Sequence, residues 1–282
     1  MKIKYSMLHV VKPILFFVLM LLFNKVTMAQ QEIFPYKGKL IIIGGGDILD
    51  TMYNLFAKEI GGKDQPIVYI PTATDDEPWI QAGEHLIKFT SRGFTNLTTV
   101  HTRDKQKAND PIFIDRIRKA KGVFIGGGDQ ANIAASFLGT DVHKELIALL
   151  NRGGIIMGTS AGATIMGEVM ITGWEQRKAP HVQHQYPAGL AFMKNTSIDQ
   201  HVLVRNRQFD LIPMMESNTS LLGMALDEAT AAYVQRDSIQ VVGRSYMMIF
   251  DHQDWNNQKK EWGKVYKPFM MYSEGQVYRF KK

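Results

Sequence analysis

The chain contains no cysteine in 282 residues. No disulfide can staple it and no lipid can be attached to an N-terminal cysteine, so an oxidising compartment is tolerated but not exploited. Low-complexity tracts and long linkers are also missing, and nothing splits the chain into several domains. Nucleotide-binding loops are absent. The two Gly-Gly-Gly-Asp stretches, 44–47 and 126–129, lack the lysine and hydroxyl of a phosphate loop, and neither has G-x-G-x-x-G spacing. Basic charge is thinly spread. Of a formal net charge of +6, Lys2, Lys4 and Lys12 sit near the N-terminus. The densest later group, Lys259, Lys260, Lys264 and Lys267, is interrupted by Glu261 and aromatics. That reads as a solvated hairpin, and no nucleic-acid partner is expected.

What is present begins with a leader. The three lysines precede an apolar run at 14–23, about half the length that spans a bilayer. Thr27-Met28-Ala29 then supplies small residues suited to cleavage after Ala29. Residues 1–29 are therefore read as a signal peptide, with an uncleaved anchor as the alternative. A secreted or periplasmic protein with no stable membrane span after cleavage is expected. The remainder, 30–282, is long enough for one domain with a large core. Its 45% hydrophobic and 21% charged content is that of a globular chain.

Buried-strand runs at 40–43, 67–70, 122–125 and 154–157, with a further strand at 96–100, alternate with helical stretches at 50–60, 79–92, 111–119, 132–137 and 142–151. This predicts an α/β fold, with a mostly parallel sheet and helices on both faces. Residues 239–250 and 269–280 alternate like antiparallel strands around a polar excursion at 251–264. They predict a C-terminal antiparallel hairpin extending a sheet edge.

The richest stretch is Gly158-Thr159-Ser160-Ala161-Gly162, between a strand run and a helix start. G-x-S-x-G in that setting describes a nucleophile elbow. Small residues flank the serine because larger side chains would strike the strand or helix. The serine hydroxyl stands beside helix N-terminal amides that can hold an oxyanion. Gly126 to Gly128 follow a strand plausible as its neighbour, where glycine lets an amide approach the same oxyanion. Gly44 to Gly46 read as a tight strand-end turn.

A serine nucleophile needs a base oriented by a carboxylate. Of eight histidines, His9 lies in the leader. His85, His101 and His143 fall in surface helix or strand-end stretches, His181 and His184 in a polar loop, and His252 in the hairpin turn. His201 stands out for its polar neighbours, Asp199, Gln200, Arg205 and Arg207. Asp227 and Glu228 close a later apolar run.

Together, 124–130 (with Gly128 and Gln130), 158–163, 199–207 and 227–230 resemble the cyanophycinases, serine exopeptidases related to aspartyl dipeptidase E. The likeness spans about 39–234. It implies a glutamine-amidotransferase-like fold with serine in place of the usual cysteine. It implies Ser160 as nucleophile, His201 as base and Glu228 as the residue orienting it. It also implies an oxyanion hole at the Gly128 and Ala161 amides, and a pocket formed by Gln130, Asp199, Gln200, Arg205 and Arg207. The implied substrate is a peptide, cyanophycin or another isoaspartyl or acidic peptide, cut without metal or cofactor. Family members are often homodimers. Asp210 stands where the family usually has a third arginine, which directs attention to substrates other than β-aspartyl-arginine.

Two other functions use the same residues. An α/β-hydrolase esterase shares G-x-S-x-G, but its histidine follows its acid, and here only His252 meets that order. A secreted binding protein without catalysis would show a damaged triad or oxyanion hole, and neither is visible in the sequence.

Overall fold

Strand β1 (Lys39–Ile43) shows why the centre of this molecule is a two-faced sheet. Leu40 and Ile42 point into one apolar core, and Ile41 and Ile43 into another on the opposite face. Successive strand residues face opposite ways. A strand apolar at four successive positions, Leu40 to Ile43, must therefore be covered on both sides. Each such isoleucine, fully buried, contributes about 1.5–3 kcal/mol of transfer free energy.

The computed structural model describes residues 32–171, 187–252 and 269–281. They lie in one compact unit, Glu32–Lys281; the other unit, Met1–Gln31 with Lys282, falls outside the described residues. So do the expected leader, His181, His184 and most of the polar excursion.

Further strands are β2 (Ile67–Ile70), β3 (Leu97–Thr99), β4 (Gly122–Ile125), β5 (Ile155–Thr159), β6 (Gly167–Val169), β7 (Met193–Gln200), β8 (Leu222–Leu226), β9 (Thr230–Gln235), β10 (Ser238–Gly243), β11 (Met247–Asp251), β12 (Met270–Tyr272) and β13 (Val277–Arg279). Eight of them form one sheet in the order β13-β10-β9-β1-β5-β4-β2-β3. The pairs from β1 to β3 are parallel, and β9, β10 and β13 join antiparallel. The helices α1 (Asp50–Ile60), α2 (Glu77–Gln81), α3 (Ile87–Thr90), α4 (Pro111–Lys119), α5 (Gln130–Phe137), α6 (Asp141–Asn151), α7 (Ala161–Thr164) and α8 (Ile212–Ser217) complete the layers. Their ends carry local signals. Asp110 caps α4 by accepting from the Ile112 amide at 2.8 Å, with Pro111 behind it. Gly61 closes α1 at φ 95°, where glycine escapes the Cβ penalty.

A second sheet, β12-β11-β8-β7-β6, was not anticipated. It changes the reading of the C-terminal region. Residues 239–250 are not one strand: β10 stays in the large sheet, and β11 crosses to the small one. Residues 269–280 divide in the same way between β12 and β13. Gly243, at φ 134°, sits at the first crossing. Apolar residues run on from β10 into a β11 buried at Met247 to Phe250, and nothing in that continuity marks the change of sheet.

The stretch 79–92 also departs from a single helix. It forms α2, a 3-10 turn at Glu84–Leu86 and α3. Gly83, left-handed at φ 73°, ends the first turn. The resulting bent segment walls the cavity described below.

Candidate active site

The ends of four strands converge. Ile43 of β1 lies beside Thr159 of β5, and Gln200 of β7 beside Leu226 of β8. The residues that follow are Gly44, Ser160, His201 and the pair Asp227–Glu228. Backbone bonds tie these strand ends together, the first within the large sheet and the next two from the small sheet's side to the loop after β1. Ser160 N–H donates to Ile43 O at 3.0 Å, His201 N–H to Gly44 O at 2.8 Å, and Ala229 N–H to Gly45 O at 3.0 Å. Glu228 and Ala229 are the link by which the chain leaves the small sheet and enters β9 of the large one. Ligand sites of open α/β sheets gather at such strand ends.

Ser160 holds φ 55° and ψ −115°, a conformation that costs a non-glycine residue about 1–3 kcal/mol. The glycines on either side make it feasible. A Cβ on Gly162 would strike the Ile125 carbonyl, and one on Gly158 the Gly162 carbonyl and Met166. The turn lifts the serine so that Oγ lies 2.9 Å from His201 Nε2. His201 Nδ1 lies 2.5 Å from Glu228 Oε1. The imidazole is buried, whereas Glu228 is partly open. Burial depresses the basicity of His201. The Glu228 hydrogen bond opposes this, and Arg205 and Arg207 add to the depression, leaving the group below the usual histidine value. A neutral imidazole facing a serine hydroxyl, backed by a carboxylate, is equipped to take a proton as the serine attacks.

The Gly128 and Ala161 amides make no hydrogen bond among the described residues. Gly128, at φ 139°, packs on the Ala73 carbonyl, and a Cβ on Gly127 would be 3.7 Å from Ser160 Oγ. The β4 glycine stretch therefore borders the nucleophile directly.

The five residues expected to form a pocket are spread around this centre. Asp199 is fully buried, and its Oδ1 accepts from the Gln200 amide at 2.9 Å. Gln130 is buried and donates to Ile171 O at 2.9 Å. Gln200 is buried, and its Oε1 has no partner among the described residues. Arg205 is exposed, and Arg207 partly so. None of the five lines the cavity of about 400 Å³ that opens at Ser160 and His201. Asp210 is partly buried on the same loop as the arginines.

Other histidines are occupied elsewhere. His252 Nε2 meets Met215 O at 2.8 Å, so the histidine an esterase order would require is not the one at Ser160. His143 Nε2 meets Leu190 O at 2.8 Å, and His101 bridges Thr72 and Glu77. His85 is buried against Thr99 rather than on a surface helix.

Sequence reasoning missed three features. Gly45 and Gly46 are more than a turn. A Cβ on Gly45 would stand on the His201 ring, and one on Gly46 would be 2.6 Å from Glu228 Oε2. Asp227 accepts from the Leu203 and Val204 amides at 3.0 and 3.1 Å and from the Ser245 hydroxyl at 2.7 Å. It fixes the turn that follows His201. The third feature is the aromatic lining of the cavity. A glycine triplet and an Asp-Glu pair were visible in the chain, but not what would lie against them.

Residues 40–242 match the model for peptidase family S51. A cyanophycinase from Geminocystis herdmanii is 29% identical over 228 residues, covering 77% of this chain and 82% of the relative. A cyanophycinase from Trichormus variabilis is 30% identical over 226 residues, covering 76% and 74%. Among solved structures, a peptidase from an acI-B1 Actinobacterium superposes with a TM-score of 0.68 at 20% identity, covering 86% of this chain and 97% of that one. A putative peptidase E protein from Listeria monocytogenes gives 0.52 at 17% identity, covering 74% and 99%.

Proposed function

The chain belongs to peptidase family S51 and is a serine-type peptidase, and from that premise we propose that it is a secreted exopeptidase acting on β-aspartyl or related acidic peptides through an acyl-enzyme on Ser160. The observation that carries this reading is the continuous chain from Ser160 Oγ through His201 to Glu228. In the proposed mechanism, His201 Nε2 accepts the hydroxyl proton as Ser160 Oγ bonds to the scissile carbonyl carbon. The Gly128 and Ala161 amides hold the oxyanion. The protonated imidazole then gives its proton to the leaving amine as the C–N bond breaks. Water, deprotonated by His201, hydrolyses the ester and restores the serine. Glu228 keeps the imidazole in the required tautomer and stabilises its cation.

Arg205 and Arg207 support an acidic substrate. Two guanidinium groups beside the base suit a carboxylate, which arginine binds in a bidentate manner. The leader at 1–29 supports export. Turnover by the purified protein on cyanophycin and on α- and β-aspartyl dipeptides tests the substrate class. Ser160→Ala should abolish turnover on whichever is cut, and retained peptidase activity in that variant would overturn the assignment. N-terminal sequencing of the exported protein should begin at Gln30.

A further inference from the structure

The cavity at Ser160 is lined by neither Arg205 nor Arg207 and has an aromatic wall. Phe124, Tyr69 and His85 stack in a column, with centroids 4.9 and 5.0 Å apart and interplanar angles of 12° and 13°. Trp79 meets His85 edge-on at 5.7 Å. Such a column is rigid, because each ring fixes the next. The Tyr69 side chain is more than nine-tenths buried. Its hydroxyl, beside Gly126, makes no hydrogen bond among the described residues. Together they make a preformed recess with an aromatic wall that carries a phenol hydroxyl, reached from the reacting serine. Its volume of about 400 Å³ lies at the low end for a ligand pocket, suiting one large residue rather than a length of polymer.

The charges at its mouth are uneven. Asp76 is the acid there, and its Oδ1 already caps α2 through the Trp79 amide at 3.1 Å. Lys88 also lines the cavity and has no acid partner among the described residues. An adjoining recess of about 310 Å³ shares Ile48, Tyr53 and Lys88 with the first. It is faced by Lys88, Arg92 and Arg244 against Asp47 and Asp50, three cations to two anions. Arg92 is paired with Asp50 at 2.8 Å. A guanidinium side chain entering here would meet like charge at the rim and an acid already engaged. An apolar side chain whose residue carries a free carboxylate meets aromatic rings inside and ammonium or guanidinium groups outside.

We propose that this cavity is the subsite for the residue across the scissile bond from the acidic group, that it selects a bulky aromatic or aliphatic side chain there, and that Lys88 receives that residue's carboxylate. The inference rests on the peptidase reading of Ser160 and goes beyond it. It places substrate selection in the bent segment 77–90, apart from the arginine loop.

The test is the rate at which a fluorophosphonate labels Ser160 in the presence of free amino acids. Phenylalanine should slow labelling at roughly one-tenth the concentration needed with glycine or arginine, a discrimination typical of an apolar pocket. Phenylalaninamide, lacking the carboxylate, should protect less well. Trp79→Ala should weaken protection by both, and Lys88→Met should erase the difference between the acid and its amide. Equal protection by phenylalanine, glycine and arginine overturns the subsite while labelled Ser160 leaves the peptidase reading intact. If Ser160 is not labelled at all, the peptidase reading fails. Calorimetric titration with phenylalanine against the intact chain and Trp79→Ala then decides the cavity alone, and absence of binding overturns it.

Discussion

Gly45 lies directly beneath His201, so close that a Cβ on the glycine would occupy the position of the imidazole ring. The loop touches the histidine once more, since Gly44 O accepts the His201 amide. Its backbone is held at φ 110°, where an L side chain is strained whatever the space. Gly45→Ala should therefore displace the base. A shift of about 1 Å in a catalytic group costs roughly 10²-fold. kcat should fall by about that factor, with KM changing little. Steady-state kinetics beside circular dichroism checks this, and unchanged kcat would show that His201 is not held from below.

Asp227 acts on the site through the backbone. Its carboxylate takes the Leu203 and Val204 amides and the Ser245 hydroxyl. It thereby fixes the turn between His201 and Arg205. Asp227→Ala would leave these partly buried donors without their acceptor, at about 1 kcal/mol, the low end of the cost of an unmet donor. The thermal midpoint should drop by several degrees, and KM for an acidic peptide should rise more than kcat falls. Asp227→Asn keeps one acceptor oxygen for the two amides and should restore most of both. A variant Asp227→Ala with wild-type KM would confine the residue to a purely structural part.

These two residues also show where the sequence stops being legible. Gly158, Ser160 and Gly162 announced their geometry because an elbow imposes its steric demand on immediate chain neighbours. β1, β2 and β4 were legible for a similar reason, since a strand buried on both faces is apolar throughout. Gly45 constrains His201 across more than 150 residues of chain, and no local pattern encodes such a contact. The second sheet was hidden because a strand keeps its period of two whichever sheet receives it. Gly83, which breaks the segment 79–92, was in plain view. A glycine within a helical pattern is often tolerated, and only tertiary packing decided that this one ends the helix.

Glu228 should matter through tautomer and charge rather than through substrate contact. It accepts from His201 Nδ1 at 2.5 Å. Glu228→Gln keeps the shape but can present an amide N–H to Nδ1, which would turn the Nε2 proton toward the serine. Loss of the carboxylate also removes support for the imidazolium. A fall in kcat of about 10³–10⁴-fold is expected, with KM within a few-fold of wild type. Ser160 should still react slowly with a fluorophosphonate, since the oxyanion donors remain. A fall of less than tenfold would remove Glu228 from the catalytic chain.

The acid limb of the pH profile follows from the environment of His201. The base must be neutral to take the serine proton, so activity is lost as pH falls through its pKa. Burial, reinforced by Arg205 and Arg207, holds that pKa below the ordinary 6.5 despite the Glu228 hydrogen bond. The acid limb of kcat/KM, which reports the free enzyme, should have its midpoint below 6.5. Arg205→Gln removes one positive charge and should move the midpoint upward. Arg205 is exposed, so this displacement should be small and should shrink further at high salt. Glu228→Gln should move the limb the other way, because it removes a carboxylate that favours the imidazolium. A wild-type midpoint above 6.5, or a downward move in Arg205→Gln, would show that burial and the two arginines do not govern the base.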